Sequence, residues 1–138
     1  MNEYSTTLTL HRTPEEVYAA VVDVRSWWTG DIAGPTDVVG EEFTYSYEEK
    51  HRSTHRVTEL DPGRRVVWLT TEAHLPFASD PAEWKGTTVV FDITPVDDGT
   101  QLRFTHVGLV PAFECYTDCS SAWSYFINGN LRQRIERS

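Results

Sequence analysis

The sequence predicts an α+β fold: a curved antiparallel sheet of about six strands wrapped around one long C-terminal helix, with two short helices after the first strand. Three observations predict it. From Val110 to Arg137, the residues Phe113, Tyr116, Cys119, Trp123, Phe126, Ile127, Leu131 and Ile135 recur at steps of three and four, giving one apolar, aromatic stripe on a helix. Between Asp37 and Val107 the apolar residues instead recur at every second position, the period of half-buried strands. The patterns run strand, two helical segments, a run of strands, then the long helix. That segregation marks an α+β domain rather than alternating βαβ units.

Each element has a local reason. Tyr4 to His11 puts Tyr4, Thr6, Leu8 and Leu10 on one side and polar residues on the other. Thr13 then caps a helix, Pro14 suits its first position, and Glu16 closes a capping box. The helix continues through Val17, Tyr18, Val21 and Val22, and Val24 to Trp28 reads as a second short helix broken off by Gly30, Gly34 and Pro35. Phe43, Tyr45 and Tyr47 share a strand face. Ser53, His55 and Val57 share the next, and Val66, Trp68 and Thr70 the one after. Asp61-Pro62-Gly63 supplies the turn between those last two. Prolines Pro76 and Pro81 make His74 to Lys85 a loop. Val89, Phe91 and Ile93 face inward from one strand, and Leu102, Phe104 and His106 from the next, with Asp98-Gly99 as the hairpin signal between them. In the long helix, Arg132, Arg134 and Arg137 suit the negative end of the dipole, and Gly129 weakens or bends the helix where it falls.

Composition narrows the function classes. A chain of 138 residues suits one domain, residues 1–138, with a real core. Five tryptophans supply both buried area and the kind of wall that lines small-molecule pockets. The net charge of -9 repels a phosphate backbone and an anionic membrane surface, so neither nucleic acid nor membrane is the expected partner. No apolar run approaches the ~18 residues of a membrane span. Met1 to Thr7 lacks the apolar core of a signal peptide, and a cytoplasmic location is expected. Two cysteines make no disulfide framework. There is no GxSxG elbow, HExxH, phosphate-cradling loop or dinucleotide fingerprint, and no cofactor is expected.

The order and the motifs together resemble the START-like or Bet v 1-like (SRPBCC) superfamily, whose members share a helix-grip fold. Within it the chain looks most like the branch named after the activator of Hsp90 ATPase, often grouped with polyketide cyclases. The resemblance is carried by Thr13-Pro14-Glu15-Glu16-Val17, Trp27-Trp28-Thr29-Gly30, Val57 to Gly63, Glu83-Trp84-Lys85-Gly86-Thr87, Phe91-Asp92-Ile93-Thr94-Pro95, Gly99-Thr100, Thr105 to Leu109, and Cys115 to Trp123. It implies a cavity between sheet and C-terminal helix that relatives use for lipids, hormones, polyketides or aromatic metabolites. Analogy with such folds also points to a homodimer through the outer sheet face or an edge strand.

The inner faces then supply the candidate site. Trp27, Trp28, Tyr45, Tyr47, Trp68, Phe91, Phe104, Trp123 and Phe126 are the candidate pocket wall, with His55, His106 and Cys119 as its polar members. A solid aromatic core is the competing reading, and the resemblance favours the pocket. His106 is either a polar anchor or general base, since neutral imidazole both donates and accepts, or a buried histidine satisfied by a neighbour. His55 and Glu72 are the secondary catalytic candidates, Glu72 as a partner for His106 or His74. Cys115 and Cys119 lie one helical turn apart, too far for an undistorted disulfide, and read as packed thiols rather than a metal or redox pair. Three functions stay open: a binding module for a small hydrophobic ligand, aromatic or lipid-like; a cyclase- or hydrolase-like enzyme using the same cavity; and a co-chaperone-type interaction module.

Overall fold

Strand β1, Tyr4–Leu10, buries Leu8 and Leu10 and exposes Ser5, Thr7 and Thr9, as its alternation requires. The next residues start a helix at the point where the capping box places it. In the computed structural model, which describes residues 4–28, 30–47, 51–74, 85–108 and 121–136, helix α1 covers Pro14–Val22. The Glu16 amide donates to Thr13 Oγ1 at 3.1 Å, and the Thr13 amide donates to Glu16 Oε1 at 3.0 Å. The Thr13 amide, together with the Thr13 hydroxyl donating to the same Oε1 at 3.1 Å, holds the Glu16 carboxyl below its ordinary pKa. A 3-10 turn, Val24–Ser26, follows and delivers Trp27 and Trp28 to the interior.

The rest of the sheet is β2 (Asp31–Ala33), β3 (Glu42–Tyr47), β4 (His51–Asp61), β5 (Arg65–His74), β6 (Thr88–Val96) and β7 (Gly99–Val107). All pairings are antiparallel, in the order β1-β7-β6-β5-β4-β3-β2. Among the described residues the sheet therefore has seven strands where six are legible in the sequence. The additional one, β2, is three residues long between Gly30 and Gly34, too short to show an alternation. The β6–β7 turn also differs by one residue. Asp97 and Asp98 form the loop, and Gly99 opens β7 opposite Val96. Gly99 is glycine for another reason: a Cβ there would run into the Leu10 carbonyl of β1.

Two bulges re-aim side chains on the β4–β5 pair. Thr54 pairs with Glu72 but His55 with Thr70, so Thr71 is the extra residue; Val57 pairs with Trp68 but Glu59 with Val67, so Thr58 is extra. Each bulge reverses the alternation beyond it. Glu72 and Glu59 would face the core by simple parity, and the bulges turn both outward, where they meet Lys85 at 3.5 Å and Arg65 at 3.8 Å.

The C-terminal helix α2 is described over residues 121–136, and it lies over the inner face of the sheet with Trp123, Ile127, Leu131 and Ile135 buried. Those four residues step by four, slightly more than the about 3.6 residues of an α-turn. The helix takes up the excess by winding as a π-helix over Tyr125–Leu131 and returning to α over Arg132–Glu136. Gly129 falls inside the π stretch, so the irregularity its presence predicts takes the form of wider winding. Side chains pin this stretch in place. Asn130 Nδ2 donates to the Trp27 carbonyl at 3.1 Å, and Thr6 Oγ1 donates to Asn128 Oδ1 at 3.3 Å. The part of the predicted helix before residue 121, with Cys115 and Cys119, lies outside the described residues. So do Glu83 and Trp84 and the side chain of His74. No helix among the described residues is long and apolar enough to cross a membrane.

Candidate functional site

The concave face of the sheet and the facing side of α2 bring most of the sequence-predicted site residues together. Trp27, Trp28, Tyr45, His55, Trp68, Phe91, Phe104, His106 and Trp123 are all 3% exposed or less. Phe126 is half-buried and packs against this group. Tyr47, at the end of β3, is exposed. Glu72, turned outward by its bulge, lines a cleft of about 310 Å³ with Arg52, Ser53, Thr54 and Ala73, and it is Lys85 rather than His106 that it meets. The candidate Cys119 lies outside the described residues.

Trp28 is the hub. Its ring stacks on Tyr45 at 3.9 Å and lies 5.0 Å from Trp123, 5.6 Å from His55 and 6.1 Å from both Trp27 and Trp68. Trp27, Trp28 and Trp68 are within 8° of parallel. Phe43 and Phe91 meet Trp68 edge-on at 5.0 and 5.1 Å, and Phe104 extends the surface to Trp123 at 4.7 Å. Close approach at the rim depends on Gly30, whose Cβ would stand 2.7 Å from the Tyr45 ring. Burial raises the Tyr45 phenol's pKa well above its ordinary value, with Tyr47 adding to the effect, so this hydroxyl stays neutral.

His55 and His106, both buried, are held by hydroxyl groups that sequence reasoning did not assign to them. His55 meets Ser53 Oγ at 2.8 Å through Nε2 and Thr70 Oγ1 at 3.1 Å through Nδ1. Ser53 lies two residues away on the same strand face, and Thr70 is the cross-strand partner, so both follow once the β4–β5 register is known. His106 Nδ1 lies 3.0 Å from Trp123 Nε1, and its Nε2 lies 2.8 Å from Thr87 Oγ1. An indole N–H only donates, so Nδ1 is the acceptor, the proton is on Nε2, and Nε2 donates to Thr87. This network fixes His106 as one neutral tautomer with both ring nitrogens engaged.

Other buried polar side chains follow the same rule. Thr36 Oγ1 donates to the Val22 carbonyl at 2.8 Å, Thr100 Oγ1 to the Arg12 carbonyl at 2.6 Å, and Trp27 Nε1 to the Val21 carbonyl at 3.3 Å. The exception is Trp68. Its ring is 0% exposed, and its Nε1 has no hydrogen-bond partner among the described residues. Leaving a buried donor unmade costs about 1–3 kcal/mol, so this position stands out from its surroundings.

Solved structures share this architecture. The dimeric Aha1 of Colwellia psychrerythraea, solved in solution, is 26% identical with a TM-score of 0.79, covering 99% of this chain and 97% of that one. A Mesorhizobium loti protein is 21% identical with a TM-score of 0.78, covering 99% and 98%. A protein of the dynemicin biosynthetic locus is 16% identical with a TM-score of 0.70, covering 99% of this chain and 48% of its own, and shares the fold. No curated protein matches the chain. The model of the family described as activator of Hsp90 ATPase homolog 1-like protein matches residues 11–136, and with its helix-grip fold the chain belongs to that family.

Proposed function

We propose that this chain binds a small hydrophobic ligand, aromatic or lipid-like, between the inner face of the sheet and α2. The observation that carries the reading is the continuous cluster of buried aromatic rings centred on Trp28, which joins β3, β4 and β5 to α2. Small-molecule sites are lined by such rings, with a few polar groups to orient the ligand. The commitment of His106 favours binding over turnover. Its acceptor nitrogen takes the Trp123 N–H, so a general base would first have to break a buried hydrogen bond. The dimeric Colwellia relative supports a homodimer here as well.

Native mass spectrometry of the freshly purified protein, followed by organic extraction, tests the reading. A discrete small molecule at near-stoichiometric occupancy is the expected result. A bare mass, with no uptake of neutral aromatic compounds added in excess, would overturn it.

A further inference from the structure

We infer that the ligand is a neutral, flat, conjugated carbonyl compound whose oxygen accepts a hydrogen bond from Trp68 Nε1. The inference rests on the ligand-binding reading above and gives that ligand a chemical class. Three observations carry it.

The first is the indole N–H itself. It is a donor without acceptor capacity, fully buried in the middle of β5, and unpartnered among the described residues, whereas the nearby histidines, serine and threonines bond one another. The complement of such a group is an acceptor.

The second is charge. The buried polar side chains of the described residues are Thr36, Ser53, His55, Thr70, Thr87, Thr100 and His106, with no carboxylate, lysine or arginine among them. A carboxylate ligand would lie in this interior without a compensating cation, which opposes its entry. A ketone oxygen needs only the one donor.

The third is geometry. An indole N–H points along its own ring plane, and Trp27 and Trp28 lie within 8° of that plane's orientation. The lone pairs of a carbonyl lie in the carbonyl plane. A flat conjugated ketone aligned with the three indoles therefore meets the donor edge-on while its faces pack on aromatic neighbours.

The test compares 9-fluorenone with fluorene, flat molecules of nearly equal shape that differ in the carbonyl oxygen, by equilibrium dialysis against the full chain. Fluorenone is expected to bind roughly tenfold more tightly or better, and Trp68→Phe, which keeps a ring but removes the N–H, is expected to erase the difference. Fluorene-9-carboxylate is expected to bind more weakly than either. Equal affinities for fluorenone and fluorene in the unaltered chain would overturn the inference while leaving the ligand-binding reading intact. So would a preference that survives Trp68→Phe. No measurable binding of either compound would overturn both. The comparison on the unaltered chain is decisive even if the variant fails to fold.

Discussion

Replacing Trp28 with alanine is expected to cost about 3–5 kcal/mol of folding stability, the range for truncating a buried tryptophan. Trp28 is 2% exposed, and its ring contacts span three strands and the C-terminal helix, so its loss opens a gap where sheet and helix meet. A domain of this size has roughly 5–15 kcal/mol in total, so the variant loses a large share of it. In urea the unfolding midpoint should fall by more than about 1 M, given slopes of about 1–3 kcal/mol per molar for small proteins. Tyr125→Ala, on the same helix but 64% exposed, is the control and should stay within about 0.5 kcal/mol. A Trp28→Ala loss below about 1 kcal/mol would show that this ring does not join the two layers.

The second large effect concerns the histidine on β7. His106→Leu removes the acceptor of the Trp123 N–H and the donor to the Thr87 hydroxyl, two buried hydrogen bonds at once. Each lost bond at a buried group costs about 1–3 kcal/mol, so a total of about 2–6 kcal/mol is expected. Trp123→Phe removes the donor on the other side of the bond. Combined with His106→Leu, it should cost less than the sum of the two single variants by about 1 kcal/mol or more, because the orphaned donor is then gone. Denaturant midpoints for the four proteins of the cycle measure this directly. Additive losses would mean that the Trp123–His106 bond does not hold helix to sheet.

Much of this arrangement is legible in the residues. The capping box at Thr13 and Glu16 fixes the start of α1, and period-two alternation assigns the inner residues of β1, β6 and β7 correctly from Leu8 to His106. On β4 and β5 alternation assigns Ser53, His55, Val57, Val66, Trp68 and Thr70 to the inside correctly and breaks down only beyond the bulges, because parity cannot register an inserted residue. Glu72 is the clearest case: it shares sequence parity with Trp68 and Thr70, and the bulge at Thr71 alone puts it outside. The four-residue spacing of Trp123, Ile127, Leu131 and Ile135 is a visible sign of the π winding, although its meaning depends on the helix being held against the sheet along its whole stripe. Strand β2 leaves no pattern, because a three-residue edge is defined by its pairing with β3 rather than by its own side chains.

The site is less legible than the fold for a related reason. A sequence identifies Trp68 as an inward-facing aromatic residue, but whether its N–H finds an acceptor depends on neighbours from β3, β4, β6 and the segment carrying Trp27 and Trp28. The same holds for His106, whose role turns on which nitrogen meets Trp123. Register and bulges decide such contacts, and they are properties of the assembled sheet.

The most direct test follows the indole N–H resonances of the ¹⁵N-labelled protein during titration with 9-fluorenone, the Trp68 peak being assigned by its loss in Trp68→Phe. The expected result is a saturable shift of the Trp68 peak, with the buried Trp28 and Trp123 peaks moving at the same ligand concentration. Buried indole peaks that stay fixed under saturating ketone, in a protein whose spectrum remains folded, would contradict an interior binding site.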